Sequence, residues 1–213
     1  SWYSIPYFSD DDFQAFVEII TESDNDIKFT KNDYDSKTIY HFLLNADTVT
    51  VTLFKTGHHK LLVQGKNTFL FQVITTTIIE LDENSKVEQI LGSAYRIRVE
   101  REKVDKAYTP VELGLPANYP NSIKRLIKQS IINLDYYIES EDYSQYVFPA
   151  LRALEGHIKY LIMIAGGTVS KNFSQFNRAS PAAPYSYVAS LTDLSKKSSI
   201  ETCLLYTSPS PRD

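Results

Sequence analysis

The chain has 213 residues, 43 % of them hydrophobic and 23 % charged, with a formal net charge of −4 at pH 7. This is the make-up of a globular protein with enough chain for one large or two small cores. It contains no apolar run near the roughly 18 residues a membrane-spanning helix needs. The acidic balance excludes a large sequence-independent nucleic-acid footprint, because such affinity comes from neutralised phosphates; a small local RNA site remains open. A single cysteine, Cys203, rules out an intrachain disulfide and a cysteine metal cluster. A reducing, cytoplasmic setting is therefore expected. No secretory signal is visible, and the chain begins at Ser1, so the true start is expected upstream.

Residues 1–94 read as α+β. Asp10, Asp11 and Asp12 offer N-caps for a short helix with Phe13, Phe16, Val17 and Ile20 on one face. Four strands are expected next: Ile27–Lys31, Thr38–Leu44, Thr48–Phe54 and Lys60–Gln64. The polar turns Asn32-Asp33, Asn45-Ala46-Asp47 and Lys55 to His58 separate them, so the connections suit an antiparallel meander. Val49, Val51 and Leu53 alternate with Thr48, Thr50 and Thr52, the pattern of a half-buried strand. Asn67 to Leu81 is rich in β-branched residues, which suits a strand, but its length favours a helix lying on the sheet.

Residues 95–202 read as a helical bundle. Tyr95, Ile97 and Val99 alternate with Arg96 and Arg98 as a strand or extended linker, and Pro110, Pro116 and Pro120 mark a loop. A helix is expected over Ser122–Ile138, with Ile123, Leu126, Ile127, Ile131, Leu134 and Ile138 as its apolar stripe. A second spans Tyr146–Ala165, closed by Gly166-Gly167, with Val147, Leu151, Leu154, Ile158, Leu161 and Ala165 inward. A third covers Ser186–Ile200. The last eleven residues, Cys203–Asp213, read as a translated sequencing adapter in place of protein sequence, so residues 203–213 are expected to be disordered and the real chain to stop near Thr202.

Chemistry concentrates in Phe148 to Tyr160. Arg152, Glu155 and Lys159 lie three and seven positions apart, hence on one polar helix face. Arg152 and His157 also fit the text of an R-x4-6-H ribonuclease signature. On a straight helix, however, five steps place those side chains about 140° apart, whereas Arg152 and Glu155 are only about 60° apart. The bland alternative is a solvated face, with Glu155 and Lys159 an ordinary i,i+4 pair worth a few tenths of a kcal/mol, and His157 a structural or interface histidine. Lys124, Arg125 and Lys128 form a basic patch on the preceding helix, either a solvated face or an RNA-contacting edge. His58 and His59 in a turn, with no third ligand in view, read as solvent-exposed, so no metal is expected there. Gly65, Gly92, Gly114 and Gly166-Gly167 match no nucleotide-binding fingerprint.

The stretch FPALRALEGHIKYL (148–161), and upstream Lys60 to Gly65 with the helix after it, resemble the RnlA/LsoA family of bacterial toxins. The resemblance covers residues 1–202 and begins in the second of the family's TBP-like repeats. It implies an α+β, TBP-like antiparallel sheet domain with helices over 1–94. An incomplete, all-α HEPN-like ribonuclease and antitoxin-binding domain would follow over 95–202. It implies an endoribonuclease toxin of a type II toxin–antitoxin, phage-defence system that cuts mRNA without metal or other cofactor, forms a homodimer through its helical domain and is held by a cognate antitoxin. Arg152 and Glu155 fit the family's catalytic pair, with His157 a further catalytic candidate and Lys159, Lys124 and Arg125 the substrate-binding candidates. The family's later R-x4-6-H motif is expected just past Thr202, so the fragment as it stands is expected to be inactive and only partly stable. The competing reading is a non-catalytic protein- or nucleic-acid-binding module, since fold alone does not fix function.

Overall fold

The computed structural model describes residues 1–57, 59–136, 138 and 143–164. Among these the elements run β1 (Trp2–Ile5), α1 (Asp10–Ser23), β2 (Lys28–Asp33), β3 (Lys37–Leu44), β4 (Asp47–Phe54), β5 (Leu61–Gly65), α2 (Phe69–Leu81), α3 (Val87–Tyr95), α4 (Arg101–Leu113), α5 (Asn121–Asp135) and α6 (Ser144–Ile164). The fold is α+β, as the sequence indicates. The strands form one antiparallel sheet in the order β1-β5-β4-β3-β2. The meander β2 to β5 has the expected order, but Asn32 and Asp33, expected as a turn, extend β2 opposite Ile39 and Thr38; β1, not expected from the sequence, adds along the free edge of β5 with Trp2 opposite Gln64 and Ile5 opposite Leu61. Strands β3 and β4 meet at a tight turn in which Leu44 faces Asp47 and Asn45 takes a left-handed φ of 55°. Asparagine tolerates that conformation better than most side chains.

Helix α1 starts one residue earlier than its aspartates suggest. Ser9 is the N-cap: its Oγ accepts from the Asp12 N–H at 3.1 Å and donates to the Asp12 carboxylate at 2.7 Å. The first contact is one half of a capping box; the Asp12 carboxylate closes on the Ser9 hydroxyl where a full box would close on the Ser9 backbone N–H. The three aspartates then occupy the first turn, where negative charge meets the positive end of the helix dipole. Phe13, Phe16 and Ile20 are buried against the sheet, Phe16 edge-on to Phe42 at 5.7 Å and Phe13 against Tyr40 at 4.9 Å. The same sheet face presents Tyr3, Ile5, Val49, Val51, Leu61 and Val63, all fully buried.

The segment after Gly65 is a helix, and its β-branched content has a physical account. Every residue from Leu70 to Ile79 is buried, so α2 is enclosed all round and needs no polar face. Its threonine hydroxyls are satisfied inside: Thr75 donates to the Phe71 carbonyl at 2.8 Å, Thr77 to Val73 at 2.9 Å, and Gln129 of α5 donates to Thr76 at 3.0 Å. The Tyr3 hydroxyl donates to Thr75 at 3.2 Å. Unpaired, such groups would penalise burial.

Three helical details differ from expectation. Pro110 lies inside α4, in the last turn, where few backbone bonds remain to be broken; Pro116 and Pro120 do lie in the loop. Helix α5 buries Ile123, Leu126, Gln129, Ile132 and Asn133, and leaves Leu134 at 71 % exposure. Its inward stripe is thus rotated towards two amides, because Gln129 has a threonine partner across the interface with α2. In α6, Val147 and Leu151 are more than half exposed, while Ala153, Ile158 and Ile162 are buried and Phe148 packs edge-on to Phe69 at 5.9 Å. Contacts divide the chain into two units, Ser1–Ala153 and Leu154–Asp213. The expected Gly166-Gly167 stop, the Ser186–Ile200 helix and the Cys203–Asp213 tail lie outside the described residues. Among the described residues no helix is long and apolar enough to cross a membrane.

Candidate active site

The last turn of α2 positions the candidate site. A helix C-terminus leaves carbonyls without intrahelical donors. Asp82 N–H takes the Ile78 carbonyl at 2.8 Å. The next two are taken from α5 by Arg125, whose Nε donates to Ile79 O at 2.8 Å and whose Nη2 donates to Glu80 O at 2.6 Å. A planar guanidinium matches two neighbouring acceptors, and its charge complements the negative end of the α2 dipole. Burial pushes the Arg125 pKa down, while the carboxylates of Glu83, Asp82 and Glu80 act in the opposite direction.

Glu80 carries a second connection. Its Oε2 accepts from Arg152 of α6 twice, from Nε at 3.2 Å and from Nη2 at 2.7 Å. The two side chains are only 18 % and 22 % exposed, so solvent screens the pair less than a surface bridge. The structure therefore brings Arg125 and Arg152 to a common residue that the sequence reading passed over. The sequence signal for Glu80 is slight: it is the first charge after the apolar run Leu70–Ile79.

Glu155, Lys159 and His157 belong to the second unit. Lys159 Nζ donates to Glu155 Oε1 at 2.8 Å as an i,i+4 pair. The half-buried His157 ring lies 6.5 Å from that of Tyr160. Burial lowers the His157 pKa. Because desolvation penalises the charged imidazole, the unfolded chain protonates first, near its ordinary value of 6.5. Stability contributed by neutral His157 is present above that value and is lost as the pH falls through it. Substituting His157→Gln is therefore expected to flatten the fall in melting temperature between about pH 7 and 5.5; parallel pH profiles for the two proteins would contradict this.

The basic patch is laced with acid. Lys128 Nζ lies 2.5 Å from Glu88 and 3.8 Å from Asp105, and 5.4 Å above the ring of Tyr108. Lys124 lies 3.9 Å from Glu112. Burial first, and Glu112 second, push the Tyr108 hydroxyl up to about 12. Lys128, Lys124, Asp105, Tyr108 and Glu112 line a cleft of about 550 Å³ between α4 and α5, with both signs of charge interleaved. Of the turn histidines, His59 lies 3.6 Å from Asp10, and His58 is outside the described residues. Among the described residues no three His, Cys, Asp or Glu side chains gather as a metal site.

Comparison with known proteins supplies the family. A family model described as RNase LS, bacterial toxin, matches residues 1–83, and one described as RNase LS, bacterial toxin DBD domain, matches residues 113–205. The chain is 25 % identical over 181 residues to mRNA endoribonuclease LsoA of Escherichia coli O157:H7, across 82 % of this chain and 51 % of that protein. It thus spans about half the length of this curated relative. The crystal structure of Escherichia coli toxin LsoA in complex with T4 phage antitoxin Dmd superposes with a TM-score of 0.51 at 19 % identity, over 97 % of this chain and 82 % of that one. That superposition reproduces the α+β fold. With models of one family matching both the sheet-bearing N-terminal part and the helical segment that contains Arg152 and Glu155, the chain belongs to the RNase LS family of bacterial toxins.

Proposed function

We propose that the full-length protein is an endoribonuclease toxin that cuts mRNA, with Arg152 and Glu155 as its catalytic residues in this part of the chain. The observation that carries the reading is the family match across residues 113–205, which contains both of them on α6. RNA supplies its own nucleophile, the 2′-OH. Cleavage then needs that hydroxyl deprotonated, the leaving 5′-oxygen protonated and the extra negative charge on phosphorus stabilised. Arg152, permanently charged, holds the phosphate; Glu155 orients it or takes the proton; a histidine titrating near neutrality completes the transfer, with His157 the candidate in this segment. None of these steps requires a metal. Lys159 and Lys124 are the candidates for holding the RNA backbone; Arg125, expected with them from the sequence, donates through Nε and Nη2 to the α2 carbonyls instead. The remainder of the reading is a TBP-like sheet followed by a HEPN-like helical domain, a cytoplasmic homodimer, and restraint by an antitoxin within a phage-defence pair. A relative solved with the phage antitoxin Dmd supports the last element.

The test is RNA cleavage by the purified full-length protein with chelator present. Arg152→Ala is expected to lower kcat by roughly 10- to 100-fold. An Arg152→Ala, Glu155→Ala protein with full activity would overturn the assignment. The interleaved charges of the α4–α5 cleft favour a second reading, a module that docks a protein; wild-type protein that binds partner but never cleaves RNA would support it.

A further inference from the structure

We propose that Glu80 is a positioning residue for catalysis, acting through Arg152; this rests on the reading that Arg152 holds the scissile phosphate. The geometry is specific. Glu80 Oε2 takes both N–H groups on one edge of the guanidinium, Nε at 3.2 Å and Nη2 at 2.7 Å. Two bonds to one edge fix the rotation about the Cδ–Nε bond, so the plane of the guanidinium and the direction of its opposite edge are set. Glu80 is itself immobilised: it lies on the final turn of an enclosed helix, and its own carbonyl accepts from Arg125 Nη2 at 2.6 Å. Arg125 thus holds the turn that carries Glu80, and the Glu80 carboxylate in turn holds the plane of the Arg152 guanidinium. An arginine on a long flexible stem otherwise samples many rotamers, and ordering it in advance is what makes its charge effective in a transition state. The carboxylate touches neither RNA nor the reacting atoms in this scheme.

The test uses the full-length protein and the Glu80→Gln variant, which keeps the size and one acceptor oxygen but removes the charge. The expected result is a fall in kcat on the order of 10- to 100-fold with KM close to wild type. A role confined to folding would lower the melting temperature and leave kcat of the folded protein unchanged. The decisive arm is the double variant. If Glu80 acts only through Arg152, adding Glu80→Gln to Arg152→Ala produces no further loss of kcat; independent, multiplying losses would overturn the proposal. A structural readout runs beside it: the Arg152 Nε–Hε resonance in a nitrogen–proton NMR spectrum should shift or broaden in Glu80→Gln while backbone amides far from α2 stay in place. An unmoved resonance would overturn the pairing itself. Full cleavage by Arg152→Ala alone would remove the catalytic reading of Arg152, and with it the role of Glu80. Dependence on Arg152 combined with wild-type kcat in Glu80→Gln would remove only the role of Glu80.

Discussion

Replacing Phe16 with alanine is expected to destabilise the protein by about 3–5 kcal/mol. Phe16 has no exposed surface and is the central anchor of α1 on the sheet, between Phe13 at 5.5 Å and Phe42 at 5.7 Å. Truncation removes apolar area and leaves a cavity between a helix and a sheet whose backbone pairing cannot close around it. Neighbouring rings limit the relaxation further: Phe42 stacks on Tyr40, and Tyr40 meets Phe13 at a tilt of 57°, so one movement displaces several aromatics. For a unit of this size each kcal/mol lowers the melting temperature by roughly 2–4 °C. Thermal and urea unfolding of the variant should show a drop of about 10 °C or more with an unchanged m-value. A loss below about 1 kcal/mol would mean that α1 is not seated on the sheet as described.

The second large effect concerns Arg125. Its substitution by alanine withdraws two charge-assisted donors from the carbonyls of Ile79 and Glu80. Such bonds contribute roughly 1.5–3 kcal/mol each, and water entering the gap recovers part of the loss, so the net cost should be about 3 kcal/mol. Lysine is the informative comparison. Its ammonium keeps the charge opposite the helix dipole but cannot span both acceptors in one plane. Arg125→Lys should therefore regain less than half of the loss in chemical denaturation. If lysine is as good as arginine, the contribution is charge alone and the fork geometry is irrelevant.

The meander, the α1 face and the identity of α2 were legible because each rests on a local pattern: period-two alternation in Val49, Val51 and Leu53, apolar spacing at Phe13, Phe16 and Ile20, and a run too long for a strand. What escaped depends on partners distant in sequence. The stripe of α5 differs because an apolar count favours Leu134 over Gln129, whose Nε2 finds a buried partner in Thr76 across the interface with α2. Helix α3 went unassigned because it ends without glycine: Arg96 adopts a left-handed φ of 55°, and Ile97 N–H closes onto the Gly92 carbonyl at 3.1 Å. Helix α4 buries only Val104 and Tyr108, too thin a stripe to mark it. At the candidate site, the charge pattern around Arg152 and Glu155 was visible, and Lys159 does pair with Glu155. Glu80 was not visible, because a carboxylate 72 positions from Arg152 carries no spacing signal.

The placement of β1 has a consequence for assembly. Strands β3 and β4 zip across a turn of Asn45 and Ala46, and nothing beyond neighbouring residues is needed to begin. By contrast, Ile5 meets Leu61 only after the whole meander and α1 have been threaded between them. In chain-closure terms, joining ends separated by that many residues costs roughly 3 kcal/mol more entropy than closing the turn. The outer strand is thus a clasp, set when the interior hairpins already stand. The sole tryptophan, Trp2, sits on that strand and keeps 54 % of its surface exposed, so its emission is expected to report the fastening of the clasp through the pairing of β1 rather than through burial of the indole, while Tyr40 belongs to the hairpin beneath.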